Sequence, residues 1–232
     1  IDWFDIDWST IDPYDYPVID NDGRPLTDYM FSQARYRNLF SHFLQFYSDR
    51  LLNIDDLEIK INQMINDLVT AAEEDQYRTM DYGFSMDDFI DSYGYQFELA
   101  HVKQGILEFF SERRSSLEEQ VIFNDNSPII YESNLENNIV VIDDTVLINI
   151  SMFGEPTNFH LFYMKEGNQA WDSVIPSFQP NIDSDRVEDH DHWIASFIPQ
   201  EPGNYFWYLM AGNEDGSDRF PIYDFKSFQI IN

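Results

Sequence analysis

Cysteine is absent from the 232-residue chain, which removes disulfides, thiol catalysis and thiolate metal sites. Basic residues are scarce. Lys and Arg number 13 against 43 Asp and Glu, a formal net charge of −30. Such a chain lacks the basic face that grips phosphate backbones, so no nucleic-acid partner is expected. An anionic membrane surface repels it for the same reason. Glycine is sparse too, at 9 residues, and no GxGxxG or GxxxxGK[ST] run offers a phosphate-cradling loop. GxSxG and HExxH do not occur either. No stretch of 18 apolar residues exists, so membrane insertion is not expected.

What remains is rich in rings. Aromatic residues make up 17% of the chain, with 20 Phe, 14 Tyr and 5 Trp, enough apolar surface for packed cores rather than an acidic disordered polymer. The acid excess is shared, with a net charge of −16 over residues 1–124 and −14 over 125–232. It therefore marks a solvated surface more than one site. It suits salty surroundings and points to a secreted or cell-surface protein. The chain begins at Ile1 with no initiator Met and no charged-then-apolar leader, which leads us to expect a mature or excised piece of something longer.

Periodicity changes once, near residue 125. Before it, apolar residues recur at helical spacing. Ser32 is placed to cap a helix over 32–53, whose stripe runs through Tyr36, Leu39, Phe40, Phe43, Leu44 and Tyr47. A second helix starts near Asp55 or Asp56, with Leu57, Ile61, Met64, Ile65, Leu68 and Val69 inward. Ser85-Met86-Asp87-Asp88 reads as a capping box, and a fourth helix is expected over 97–121.

After Pro128 the runs are short, β-branched or aromatic: 139–142, 145–152, 159–164, 193–198, 205–210 and 225–231. Turn signals at Asp143-Asp144, Gly154-Glu155-Pro156 and Glu166-Gly167-Asn168 separate them. About seven strands in roughly 100 residues predict a small sandwich of immunoglobulin type, here without the inter-sheet bridge. Asn124-Asp125-Asn126-Ser127-Pro128 has the composition of a short linker. The expected fold class is thus α+β multidomain: an all-α helical subdomain over 1–124, then an immunoglobulin-like β-sandwich over 125–232.

Two acid clusters stand out as candidate metal sites. Asp5 and Asp7, two apart in an extended segment, project to one side, where carboxylates share a hard cation such as Mg²⁺ or Ca²⁺. Asp2 and Asp12 are near enough to join them. The alternative is a loop anchored by Trp3, Phe4 and Trp8 with its acids in water. The second cluster, over 183–192, holds Asp189, His190 and His192. Its acids suit Ca²⁺ and its paired imidazoles a transition metal, against the alternative of a solvated inter-strand loop. His101 is a formal candidate base, or packs between helices. Trp171, Trp193, Trp207, Tyr205 and Tyr208 suggest a platform for stacking a glycan, with about half of these rings expected in the core instead.

Several of these segments resemble one family. The run Ile1-Asp2-Trp3-Phe4-Asp5-Ile6-Asp7-Trp8, then Arg24-Pro25-Leu26 and Tyr36-Arg37, resembles the distal part of CotH-family (spore-coat-type) kinase-like proteins. So do Asp81-Tyr82-Gly83-Phe84-Ser85-Met86-Asp87-Asp88-Phe89 and His101-Val102-Lys103-Gln104-Gly105-Ile106 with Phe109 and Arg113. The resemblance covers about residues 1–122. The second half looks like the immunoglobulin or fibronectin-type module that follows such domains in secreted bacterial proteins. Its Tyr205-Phe206-Trp207-Tyr208-Leu209-Met210-Ala211-Gly212 is similar to the end of those modules, with Asn213 and Glu214 where an Asp is usual.

The resemblance implies a parent that is an atypical kinase, using ATP and a divalent metal to phosphorylate serines of secreted or coat proteins. That chemistry needs a Lys on the phosphates, carboxylates on the metal and a base near the hydroxyl. The ATP-binding lobe and its lysine are missing from this sequence. ATP and Mg²⁺ therefore enter only with an upstream lobe, and the chain by itself requires no cofactor. The family's metal-binding Asp-x-Asp lies either just upstream of Ile1 or at Asp5-Ile6-Asp7, where Trp8-Ser9-Thr10 departs from the usual continuation. The implied role is a non-catalytic C-terminal fragment that supports the kinase-like lobe and adds an interaction module. Its implied partners are the upstream lobe and a secreted protein substrate or glycan. The competing expectation is an extracellular adhesion or carbohydrate-binding protein with no enzymatic role.

Overall fold

The computed structural model describes residues 7–15, 25–80, 82–179 and 192–232. Helices come first and a mostly antiparallel β region follows, so the fold is α+β. The chain divides into two compact units. One takes the chain up to Gln33 together with Phe40–Ile122; the other takes Ala34–Leu39 and Phe123–Asn232.

In the helical unit, α1 (Pro25–Ser32) opens on a proline, whose fixed φ and missing N–H suit the first helical position. This overturns the expected cap: Ser32 ends α1, and its hydroxyl donates back to the Tyr29 carbonyl at 2.7 Å. Gln33 precedes α2 (Ala34–Phe46) with no side-chain cap. A π-helical turn, Tyr47–Leu51, then ends that run. The second helix, α3 (Ile54–Glu74), starts where the acids predicted, with the Asn53 side chain accepting from the Asp55 N–H at 3.2 Å. Ile61 lies on its buried face, whereas Met64 and Leu68, expected beside it, are 58% and 48% exposed.

The Ser85–Asp88 capping box is present at the start of α4 (Met86–Asp91), with both reciprocal bonds formed. The expected helix over 97–121 is shorter: α5 is Ile106–Gln120. Residues 99–102 instead make a tight turn. Leu99 and Val102 exchange backbone hydrogen bonds, and Ala100 takes φ +55°. The first N–H groups of α5 are satisfied by the preceding segment, Ile106, Leu107 and Glu108 donating to the carbonyls of Ser92, Tyr93 and Gly94. The orphan donors of one helix thus meet the spare carbonyls that follow another. Among the described residues the apolar core of this unit is thin, its well-buried members being Ile61, Phe97, Leu107 and Leu117.

The β unit holds ten strands among the described residues: β1 (Ile129–Leu135), β2 (Ile139–Val141), β3 (Val146–Phe153), β4 (Asn158–Lys165), β5 (Asp172–Val174), β6 (Ser177–Phe178), β7 (His192–Phe197), β8 (Gly203–Gly212), β9 (Ser217–Phe220) and β10 (Lys226–Ile231). One sheet runs β1-β3-β7-β6; the other runs β2-β10-β8-β4-β5, with β9 on β8. Only β2–β10 pairs in parallel among these ladders. Strand alternation sends Val146, Ile148 and Ile150 of one sheet and Leu161, Trp207 and Leu209 of the other into a single apolar core. Trp207 is 1% exposed. The Tyr205 hydroxyl donates back to the Glu201 carbonyl at 3.0 Å.

Residues 124–128 are tied down rather than free as a linker composition suggests. Asn38, 2% exposed, donates from Nδ2 to the Asp125 carbonyl and carboxylate, while its Oδ1 accepts from the N–H and side-chain amide of Asn124. The Asn213 side chain donates to the Asn126 carbonyl at 2.8 Å. Among the described residues no helix is long and apolar enough to cross a membrane.

Candidate functional site

The first acid cluster is partly in view. Asp5 lies outside the described residues, as does Asp2. Asp7 is described, and its carboxylate is fully engaged locally. Oδ1 accepts from the Ser9 N–H at 3.0 Å and the Ser9 hydroxyl at 2.5 Å, and Oδ2 accepts from the Thr10 hydroxyl at 2.7 Å. The Ser9 hydroxyl first and the Thr10 hydroxyl second hold the Asp7 carboxyl below its ordinary pKa. Asp12 turns elsewhere, accepting from the Tyr14 N–H at 2.8 Å.

Ser9 links this loop to α5. It is fully buried, and its Oγ also sits 2.9 Å from Glu112 Oε2. One hydroxyl has a single proton to give, so two carboxylates converge on one donor. The Gln104 side-chain amide donates to Glu112 and approaches Ser9 Oγ at 3.5 Å. Arg113 donates to the Ile11 carbonyl at 2.6 Å and Gln120 to the Thr10 carbonyl at 2.7 Å, fastening the loop along the helix. Beside it opens a polar cleft of about 450 Å³, lined by Thr10, Ser111, Glu112, Ser115 and Glu119. The all-oxygen donor set is of the kind hard cations take. It stops at two carboxylates: among the described residues no group of three acidic or histidine side chains is placed to hold a metal. None of Ser9, Gln104 and Glu112 was a candidate site residue in the sequence. Gln104 stood only inside the run 101–106 that resembles the family, Ser9 only as part of the departure from its pattern, and nothing pointed to Glu112.

Of the second cluster, Asp189 and His190 lie outside the described residues. His192 is the first residue of β7, paired with Ser151, and its carbonyl accepts from the Gln179 N–H at 2.9 Å. His101 is exposed at the tip of the 99–102 turn, edge-on to Tyr82 at 4.8 Å.

The candidate platform rings divide between core and surface. Trp207 and Tyr205 are core. Trp193 packs edge-on between Phe159 and Phe178, at 5.3 Å from each. Tyr208 stacks on its cross-strand neighbour Phe162 at 4.9 Å, and Trp171 closes on Tyr208 and Phe225, each at 4.9 Å. The Arg219 guanidinium lies over Tyr208 and Phe225 at 4.7 and 5.3 Å. This is a second apolar cluster on the outer face of the larger sheet, and most of its ring faces are taken by other rings.

No family model matches the chain, and no curated protein matches it. Solved structures that resemble parts of it include the following three. An engineered protein shares 10% identity with a TM-score of 0.29, over 55% of this chain and 27% of its own. A hypothetical protein of Pyrococcus horikoshii OT3 shares 16% with a TM-score of 0.24, over 47% and 90%. The Pseudomonas fluorescens alkylpurine DNA glycosylase AlkC shares 12% with a TM-score of 0.28, over 66% and 43%. The chain thus matches about a quarter of the first of these and under half of the third. At such TM-scores no fold or function passes from them to this chain.

Proposed function

We propose that the chain is the C-terminal part of a secreted CotH-like atypical kinase of bacterial origin, supporting the kinase-like lobe and adding an immunoglobulin-like interaction module, and that it is not catalytic by itself. The observation that carries this reading is the seating of the Asp7–Thr10 loop on α5. Asp7, in one run that resembles the family, bonds the adjoining Ser9, and Gln104 and Arg113, in the other run about a hundred residues on, approach Ser9 and hold the Ile11 carbonyl. The thin core of the helical unit supports it as well. Leu26, Tyr29, Met64, Tyr77 and Met80 are each more than half exposed, as expected of a unit whose apolar surface is covered by another lobe of the parent.

The immunoglobulin-like part rests on strand order. β1-β3-β7-β6 and β10-β8-β4 follow the ABED and GFC orders of that sandwich. Tyr205, near the start of β8 and bonded back to Glu201, matches its tyrosine corner. Trp207, two residues on, stands where the bridged domains carry a cysteine.

Calorimetry of the 232-residue chain with Mg²⁺ and ATP is expected to show no binding; micromolar affinity would overturn the non-catalytic role. In the gene, the segment upstream of Ile1 is expected to encode a β-rich lobe with a phosphate-binding lysine, and a different upstream domain would sink the kinase parentage. The second reading, a glycan-binding adhesion piece, draws on the half-exposed Trp171 and Phe225. Glycan-array binding lost in Trp171→Ala would favour it.

A further inference from the structure

The β unit contains a cleft of about 390 Å³, lined by Leu39, Ile130, Phe220, Pro221, Ile222 and Tyr223, with Arg35 as its charged member. The volume is within the range of small-ligand sites, which are mostly apolar with a few placed polar groups. Tyr131 and Arg35 are the polar members of its lining, and Arg219, outside the lining, holds its lip. Arg219 builds the lip: Nη1 donates to the Pro221 and Ile222 carbonyls at 2.5 and 3.2 Å and Nη2 to the Asp224 carbonyl at 2.6 Å, while its guanidinium rests on Tyr208 and Phe225. A lip already ordered this way costs a ligand little to organise.

Arg35 sets the chemistry. Of the five N–H groups of a guanidinium, Nε donates to Asp218 Oδ1 at 2.8 Å, and Nη2 donates to Asp218 Oδ2 at 3.0 Å and the Ile130 carbonyl at 3.1 Å. Among the described residues Nη1 donates to nothing, and the side chain keeps 26% exposure. Asp218 neutralises the charge, so the remaining donors suit a neutral acceptor better than a second carboxylate. A chain of net charge −30 disfavours an anionic ligand further. Ile222 and Tyr223, 41% and 82% exposed, flank the apolar part of the cleft.

We infer that this cleft docks a single large apolar residue of a polypeptide partner, its side chain against Leu39 and the Pro221–Tyr223 lip and its main-chain carbonyl on Arg35 Nη1. The inference deepens the interaction-module part of the reading above and is independent of the kinase parentage, which the Mg²⁺–ATP and upstream-gene tests address separately.

The test is a titration of the ¹⁵N-labelled full chain with N-acetyl-L-phenylalaninamide, followed by amide chemical shifts. Saturable shifts are expected at Leu39, Ile130, Ile222 and Tyr223. N-acetyl-L-phenylalanine, which presents a carboxylate, is expected to bind more weakly. Ile222→Ser/Tyr223→Ser, at exposed positions, is expected to lose about tenfold in affinity through lost apolar contact while keeping the dispersed spectrum; Tyr223→Ser alone serves if the pair perturbs the fold. Absence of saturable shifts at these amides overturns the inference. So does equal or tighter binding of the carboxylate, or undiminished affinity in the lip variants.

Discussion

Arg35 and Asp218 form a two-point ion pair, with Nε to Oδ1 at 2.8 Å and Nη2 to Oδ2 at 3.0 Å. The Asp218 side chain is 10% exposed, and its Oδ2 also accepts the Ile130 N–H at 2.8 Å. The first turn of α2 and strands β1 and β9 are thereby joined at one carboxylate. Bidentate geometry and partial burial set this pair apart from surface ion pairs of little worth.

Asp218→Ala is therefore expected to destabilise the β unit by about 3 kcal/mol, because it leaves a guanidinium and a backbone N–H without their acceptor. Arg35→Met is expected to cost less, since the carboxylate keeps the Ile130 N–H. Urea unfolding of both singles and the double variant gives the coupling. A coupling near zero would refute the view that the two side chains act as a unit.

Asn38 makes a different prediction because it is both donor and acceptor. Its amide is the only part that can donate to Asp125 while accepting from Asn124. Asn38→Asp keeps the shape, removes the two donors and sets a carboxylate against the Asp125 carboxylate. A loss of about 2 to 3 kcal/mol at neutral pH is expected, shrinking as the pH is lowered and one acid takes a proton. Asn38→Leu is expected to lose a similar amount with no such recovery. Chemical denaturation at the two pH values separates the variants.

These hubs explain which parts of the fold were legible in the sequence. The Ser85–Asp88 capping box could be read because its bonds close within four residues. The β-branched run of β3 and the aromatic run of β8 could be read because burial on one face imposes alternation. β1 could not: a register shift between Ile130 and Glu132 breaks its period, and the buried Ser133 is satisfied by the Asn149 carbonyl. Ser32 has the right chemistry for a cap, but Pro25 starts a helix earlier and leaves Ser32 at its end. In the candidate site, Asp7 was visible as an acid, but its link through Ser9 to Glu112 spans 103 residues. The Arg35–Asp218 pair, which orients the arginine of the cleft, spans 183. Local pattern carries no record of such pairs.

Gly105 tests the end-to-end meeting of the 92–94 turn with α5. A Cβ added there would stand 2.1 Å from the Gly94 carbonyl oxygen, closer than any real contact. The obstacle is backbone, and the neighbouring Ile106, Leu107 and Glu108 N–H groups already bond to that turn. Gly105→Ala is expected to cost about 3 kcal/mol or more, with the loss seen as faster amide exchange in α5. Retention of wild-type stability would mean that the two segments do not approach as described.

His42 gives the helical unit a pH dependence of its own. The imidazole is half-buried on α2, and burial pushes its pKa down to about 4. In the unfolded chain the same group takes up its proton near 6.5. Between those values the unfolded state binds more protons, so stability contributed by the neutral imidazole is present above about 6.5 and is lost as the pH falls through that window. Carboxylates titrate nearby, but their contribution is common to a variant that lacks the imidazole. The difference between wild type and His42→Gln isolates the histidine. Urea midpoints measured between about pH 7 and pH 4 are expected to fall more steeply for wild type than for His42→Gln. Parallel slopes would show that the folded imidazole titrates near its ordinary pKa.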